Sequence, residues 1–138
     1  MAINYWAVLV CAIASMIVGS VWYGPIFGKK WMQICGADKL DMEARKKMQK
    51  AAGPLYLAQF LLTLLQLWVF ANILNYWPGA STVWIAVFMW VGFIMPTIAG
   101  SSMWNNDASK VKWARFLIQS GYQLVMFIIF GLILGLWK

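Results

Sequence analysis

Residues 54–76, PLYLAQFLLTLLQLWVFANILNY, form a long apolar stretch without a charged side chain. A helix of about 20 residues, rising about 1.5 Å per residue, crosses the hydrocarbon core of a bilayer. Backbone groups in hydrocarbon must find hydrogen-bond partners within their own segment, which excludes an open strand. The stretch is therefore predicted to be a transmembrane helix.

Three further stretches have the same character, with charges confined to their end turns: residues 3–23, 81–103 and 112–137. The whole chain of 138 residues is 63% hydrophobic and only 11% charged, whereas soluble domains are about 25% charged. This composition excludes secreted disulfide scaffolds, disordered tails and nucleic-acid modules. We predict an all-α, polytopic membrane protein with four transmembrane helices in a single domain, 1–138.

The first apolar stretch lacks the features of a cleavable signal peptide. No Lys or Arg precedes Lys29, and the stretch ends in Trp22, Tyr23, Gly24 and Pro25 instead of a small-residue cleavage site. A signal peptide needs both features. We expect this helix to be retained.

Ten of the 11 Lys and Arg residues lie between the first two stretches or just before and within the first turn of the fourth. Because basic residues remain in the cytoplasm, this distribution predicts that both termini are outside and both basic loops inside. The net charge of +7 then suits the anionic lipids of the inner leaflet. The predicted partner is that lipid surface, and not nucleic acid.

The basic loop is predicted to contain an amphipathic helix over residues 38–52. Asp38 can cap it, Leu40, Ala44 and Met48 share one face, and most charges lie off that face. Gly53 and Pro54 are expected to end it and to start the second span. Such a helix lies in the membrane interface.

The chain offers few groups for chemistry. It has no His, two Cys and no carboxylate inside a predicted span. No set of metal ligands, catalytic pair or proton-relay carboxylate follows from such residues. We expect no catalytic residues, no metal site, no cofactor and no enzymatic activity.

Small residues recur at helical spacing on two of the spans. They are Ala7, Cys11, Ser15 and Gly19 on the first, and Gly131 and Gly135 on the fourth. Such ridges let another backbone approach closely. We expect them to pack helices. One neighbour would be a helix of the same chain, and the other face would meet either a second copy in a homo-oligomer or a cavity.

Uncharged polar residues concentrate in the inner halves of the spans: Gln59, Thr63 and Gln66 on the second, and Gln119, Tyr122 and Gln123 on the fourth. Pro96 removes a backbone donor from the third span and predicts a kink there. Two interpretations remain open. Either these groups hydrogen-bond between helices, or they line a polar cavity that opens inward.

Residues 19–32, GSVWYGPIFGKKWM, resemble the signature of a bacterial family of small four-helix membrane proteins, domain of unknown function 1761. Residues 90–93, WVGF, and 121–125, GYQLV, are similar to its later blocks. The resemblance covers nearly the whole chain and implies the same topology in a bacterial inner membrane, but no activity. Within the first block we expect Lys29, Lys30 and Trp31 to contact lipid headgroups.

A short internal similarity also exists, since Asn-Tyr-Trp occurs at both 4–6 and 75–77, in front of the first and third spans. Two hairpins of equal orientation would form a parallel repeat.

Two functions fit these features. The first is a small homo-oligomeric channel or carrier for a neutral or weakly charged solute. The alternative is a non-catalytic accessory subunit that packs against and stabilises a larger membrane complex.

Overall fold

A computed structural model describes residues 3–137 of the chain. Helices account for most of that range. They are α1 (Tyr5–Val21), continued by a π-helix (Trp22–Ile26); α2 (Gly28–Cys35), followed by a 3₁₀ turn (Ala37–Lys39); α3 (Met42–Tyr76); α4 (Thr82–Met89), continued by a second π-helix (Trp90–Ile94) and then α5 (Met95–Met103); and α6 (Ser109–Leu136).

The described residues contain four helical segments that are long and apolar enough to cross a membrane: Tyr5–Ile26, Met42–Tyr76, Thr82–Met103 and Ser109–Leu136. The predicted all-helical fold with four apolar helices of this length is thereby confirmed. Asn4, before α1, and Trp137, after α6, lie together, because the Asn4 side-chain amide donates to the Trp137 carbonyl at 3.1 Å. We call this side of the bundle the terminal end, and the side that carries the Lys- and Arg-rich loops the basic end.

The fourth span, α6, contacts α1, α2, α4 and α5, and α1 also packs against α3. The apolar core lies in the terminal half of the bundle. Phe70 of α3 meets Phe127 of α6 with ring centroids 5.7 Å apart, and Leu67, Met126 and Phe130 are buried around them. Helices in lipid associate through close packing of this kind.

Small residues bring α4 and α6 into backbone contact. A Cβ atom added at Gly131 would lie 2.9 Å from the Thr82 carbonyl oxygen, and one at Gly135 would collide with the Thr82 hydroxyl. That hydroxyl donates to the Gly131 carbonyl at 2.6 Å. The Gly131 and Gly135 face is therefore occupied by a helix of the same chain and is not available to a second copy.

The structure corrects the predicted amphipathic helix over 38–52. Residues 42–52 are the first turns of α3, which continues through Pro54 without a break. Proline leaves the carbonyl four residues earlier without its donor, but this part of α3 is exposed, so water can satisfy that carbonyl. The capping residue is Asp41, whose carboxylate accepts from the Ala44 N–H at 2.8 Å, and not Asp38.

The first span continues past residue 23, where the apolar stretch of the sequence was predicted to end. Gly24 and Pro25 lie inside its π-helical end. The helix α2, which was not predicted from the sequence, then begins at Gly28 and ends at Cys35. Gly36 caps it with a left-handed φ of 75°, which suits glycine.

We predict that Gly131→Ala destabilises the protein by about 1–3 kcal/mol, because the new methyl group forces α4 away from α6. Gly100→Ala is the matched control, since no atom lies within 4 Å of a Cβ there. It should leave stability unchanged or raise it, as alanine favours helix. The measurement is unfolding by denaturant in mixed micelles, and equal effects of the two substitutions would contradict the packing described.

Candidate functional site

The polar residues of α3 lie on one side of that helix. Gln66, Thr63 and Gln59 precede Phe70 by four, seven and eleven positions, and such intervals keep residues on one helix face. Thr63 is buried to 1% exposure, Gln66 is partly buried and Gln59 is exposed. The Thr63 hydroxyl donates to the Gln59 carbonyl at 2.8 Å. We call these three residues the α3 stripe.

The fourth span carries a matching set. Gln123 and Gln119 precede Phe127 by four and eight positions and share its helix face. We call these two glutamines the α6 stripe. Because Phe70 contacts Phe127 and the two helices run in the same direction, this α6 stripe and the α3 stripe both extend from that contact towards the basic end. Thr63 and Gln119 each lie about 10–12 Å from the phenylalanine pair, at about 1.5 Å per residue.

The part of α3 near the basic end is uncovered. Residues 53–59 of α3 are all exposed, and consecutive residues cover every side of a helix at about 100° each. Leu55, Tyr56 and Leu57 are 67%, 63% and 62% exposed. Gln59, the residue of the α3 stripe nearest the basic end, therefore lies where no other described helix covers α3.

Three buried polar atoms in the described residues have no hydrogen-bond partner: Gln123 Oε1, Ser102 Oγ and Arg115 Nε. All three lie on the basic side of the Phe70–Phe127 contact. Burial of a polar atom without a hydrogen-bond partner costs free energy. Gln123 belongs to the α6 stripe, so its Oε1 atom can accept a hydrogen bond from a donor outside the chain.

Tyr122, grouped by sequence with the two glutamines, belongs to a different contact. Its hydroxyl donates to the Ser15 carbonyl at 2.9 Å and would lie 2.9 Å from a Cβ atom at Gly19. Ala7, Cys11 and Ser15 are buried on the same helix. The small-residue face of α1 and Tyr122 thus join α1 to α6.

Two tryptophans join α6 through their indole N–H groups. Trp22 donates to the Ile118 carbonyl at 2.9 Å and Trp90 to the Ser120 carbonyl at 3.0 Å. In the sequence, Trp22 lies in the first family block and Trp90 in a later one, and neither block indicates a hydrogen-bond partner. The local sequence around each tryptophan does not predict which carbonyl it bonds, since both bonds link residues far apart in the chain.

Pro96 was predicted to kink the third span. It lies at the start of α5, directly after the π-helix Trp90–Ile94. A π-turn bonds residues five apart instead of four. The hydrogen-bond pattern of the span therefore changes before Pro96, the residue that has no N–H donor. The irregularity in this span thus begins six residues before the proline, at Trp90.

The basic end carries an aromatic and ionic cluster that sequence analysis did not identify. The Arg115 guanidinium pairs with Asp107 at 3.0 Å and lies 5.8 Å from the centre of the Trp31 ring, within cation–π range. Tyr23 contacts Trp31 with ring centroids 4.9 Å apart. Trp31, which is partly buried, thus joins α2 to α6, whereas Lys29 and Lys30 on the same helix are exposed. The expected headgroup contacts of these three residues stay a prediction.

The cysteines are both free, Cys11 buried and Cys35 exposed. Burial raises the pKa of the Cys35 thiol, and Asp107 raises it further, while the Arg115 guanidinium lowers it. Among the described residues no group of three or more His, Cys, Asp or Glu could hold a metal ion.

We predict that maleimide modifies Cys35 more slowly at pH 7 than a free cysteine peptide, because a raised pKa lowers the thiolate fraction at any given pH. The pH midpoint of the modification rate should lie above that of the peptide. Arg115→Leu should move the midpoint higher still, since it removes the one neighbour that lowers the pKa. A midpoint below that of the peptide would contradict this assignment.

These features define a polytopic four-helix membrane protein. The family model described as a protein of unknown function, DUF1761, matches residues 6–135, nearly the whole chain. The chain belongs to this family, as the resemblance of its first block indicated. Searches of curated proteins and of solved structures give no match.

Proposed function

We propose that this protein is a carrier for a small neutral solute, which binds between the α3 and α6 stripes. The observation that carries the proposal is the Gln123 Oε1 atom, which is buried without a hydrogen-bond partner and lies one turn from Phe127, where α6 contacts Phe70 of α3. Amide and hydroxyl groups offer both donors and acceptors without charge. They suit a solute that hydrogen-bonds in both senses.

The terminal half supports a carrier in preference to an open pore. Phe70, Phe127 and Phe130 are at most 5% exposed and fill the space beyond the stripes. A solute between the stripes is thus blocked on one side and open on the other. Passage across the membrane requires the helices to move, as in carriers with a central site.

The proposal places the protein in a bacterial inner membrane with the basic end in the cytoplasm. The Lys and Arg distribution supports this orientation. The exposed Lys46, Lys47 and Lys50 at the start of α3 would then meet anionic headgroups. The solute site accordingly opens towards the cytoplasm.

The test is solute flux in proteoliposomes, with urea and glycerol as neutral probes and light scattering as the readout. The variant Gln59→Leu with Gln119→Leu should reduce flux of a transported probe to that of protein-free liposomes. Asn72→Leu is the matched control, because its amide bonds to the Trp68 carbonyl of its own helix at 2.8 Å. Flux that is equal in the double variant and the unmodified protein would overturn the proposal.

A second candidate function is an accessory subunit, and one surface favours it. On α5 and the π-helix before it, Gly92 and Gly100 have no atom within 4 Å of a Cβ position, and Pro96, Thr97 and Ser101 are exposed beside them. A small-residue face of this kind accommodates another transmembrane helix. That helix would belong either to a second copy of this chain or to a larger complex.

Native mass spectrometry of assemblies released from lipid nanodiscs separates these cases. A discrete homo-oligomer that is lost in Gly92→Leu with Gly100→Leu would support assembly of the carrier through this face. Release together with one larger membrane protein would support the accessory role instead. A monomer in all variants would contradict both uses of the α5 face.

A further inference from the structure

The two π-helices have the same sequence pattern. Residues 22–26 are WYGPI and residues 90–94 are WVGFI, so tryptophan, glycine and isoleucine occupy the same three positions in each. Each lies within a span that runs from the terminal end to the basic end. The Asn-Tyr-Trp similarity precedes the same two spans, which makes this the second feature that they share.

The two segments also form the same bonds. The Phe27 N–H donates to the Trp22 carbonyl at 2.9 Å, and the Met95 N–H donates to the Trp90 carbonyl. Both are the five-residue bonds that define a π-turn. Both indoles then donate to carbonyls of α6. Isolated π-turns within α-helices occur frequently at functional sites.

The two accepting carbonyls, of Ile118 and Ser120, lie on different sides of α6, because two residues correspond to about 200° of helix rotation. The tryptophans therefore hold α6 from two sides. Gln119 lies between these carbonyls, and Gln123 lies one turn beyond it. Trp22 also packs closely, since its ring would be 3.1 Å from a Cβ atom at Gly121.

These indole bonds can open without unwinding α6. Carbonyls inside an α-helix already accept from the N–H four residues later, so the indoles supply a second bond to each. The terminal half of the bundle stays fixed by separate contacts, namely the Thr82–Gly131 hydrogen bond and the Phe70–Phe127 pair. Movement at the π-helices would thus be confined to the basic half.

We infer that Trp22 and Trp90 are paired positioning residues that hold the α6 stripe in place, and that release of their indole bonds opens the solute site. This inference rests on the proposed carrier function and assigns its moving parts. It makes the two W-x-G-x-I segments equivalent hinges on either side of α6.

The test measures how fast a water-soluble methanethiosulfonate reagent modifies a cysteine placed at Gln123, in the full chain in nanodiscs. Cys35→Ser removes the exposed native thiol. Trp22→Phe and Trp90→Phe each keep an aromatic ring. Both substitutions remove the indole N–H donor and make the ring system smaller. Each should raise the modification rate of Gln123→Cys about fivefold, the factor that corresponds to one net hydrogen bond, and the double variant should raise it by the product.

Two controls make the result specific. Trp68→Phe removes an indole that is 49% exposed on α3, and it should leave the rate unchanged. Phe130→Cys reports on the terminal half, and its rate should stay at background in every variant. An equal rise at Phe130→Cys would show general loosening and would overturn the inference, as would an unchanged rate at Gln123→Cys.

The labelling result is distinguishable from failure of the proposed function. If both tryptophan variants accelerate labelling of Gln123→Cys while urea and glycerol flux stays at the liposome level, the hinges are supported and the carrier function fails. If flux depends on Gln59 and Gln119 but the labelling rate of Gln123→Cys is unchanged in Trp22→Phe and Trp90→Phe, the carrier function is supported and the hinge proposal is overturned.

Discussion

Within the described residues, four hydrogen bonds from uncharged side chains to main-chain carbonyls join α6 to α1, to the π-helix that follows α1 and to the third span. Each donor is a group that hydrocarbon cannot satisfy, namely an indole or a hydroxyl. A polar side chain inside a span must find a partner on its own helix or on a neighbour, and here the neighbour's backbone supplies it. The position of α6 against α1 and the third span follows from this requirement.

The same requirement distinguishes the two halves of the bundle. In the terminal half the contacts are complete, because Gly131 admits the α4 backbone and Phe127 fills the space beside α3. In the basic half Gln123 and Ser102 each retain a buried atom without a partner in the chain. A protein that only needed to hold four helices together would gain nothing from leaving such atoms unpaired. Their location is the physical reason why we propose a solute site in the basic half.

The four apolar spans and the helix face on which each polar residue lies could be predicted from the sequence for one reason. Hydropathy and helical spacing are local properties, so the apolar stretches and the positions of Gln59, Thr63 and Gln119 on their helices can be read without tertiary information. The continuation of α3 through Pro54 could not be predicted from the sequence. The free-energy cost of a proline inside a helix depends on whether water reaches the carbonyl four residues earlier, which has lost its N–H donor. The Trp22 and Trp90 bonds and the Arg115–Asp107 pair depend on contacts between separate segments.

The central claim is that the basic half admits water and the terminal half does not. Hydrogen–deuterium exchange of the protein in nanodiscs tests it directly, because amides exchange only where water reaches them. The account predicts measurable exchange over residues 115–123 of α6 and none on the same timescale over residues 126–134. Equally slow exchange in both segments would show a dry interior throughout and would contradict the account.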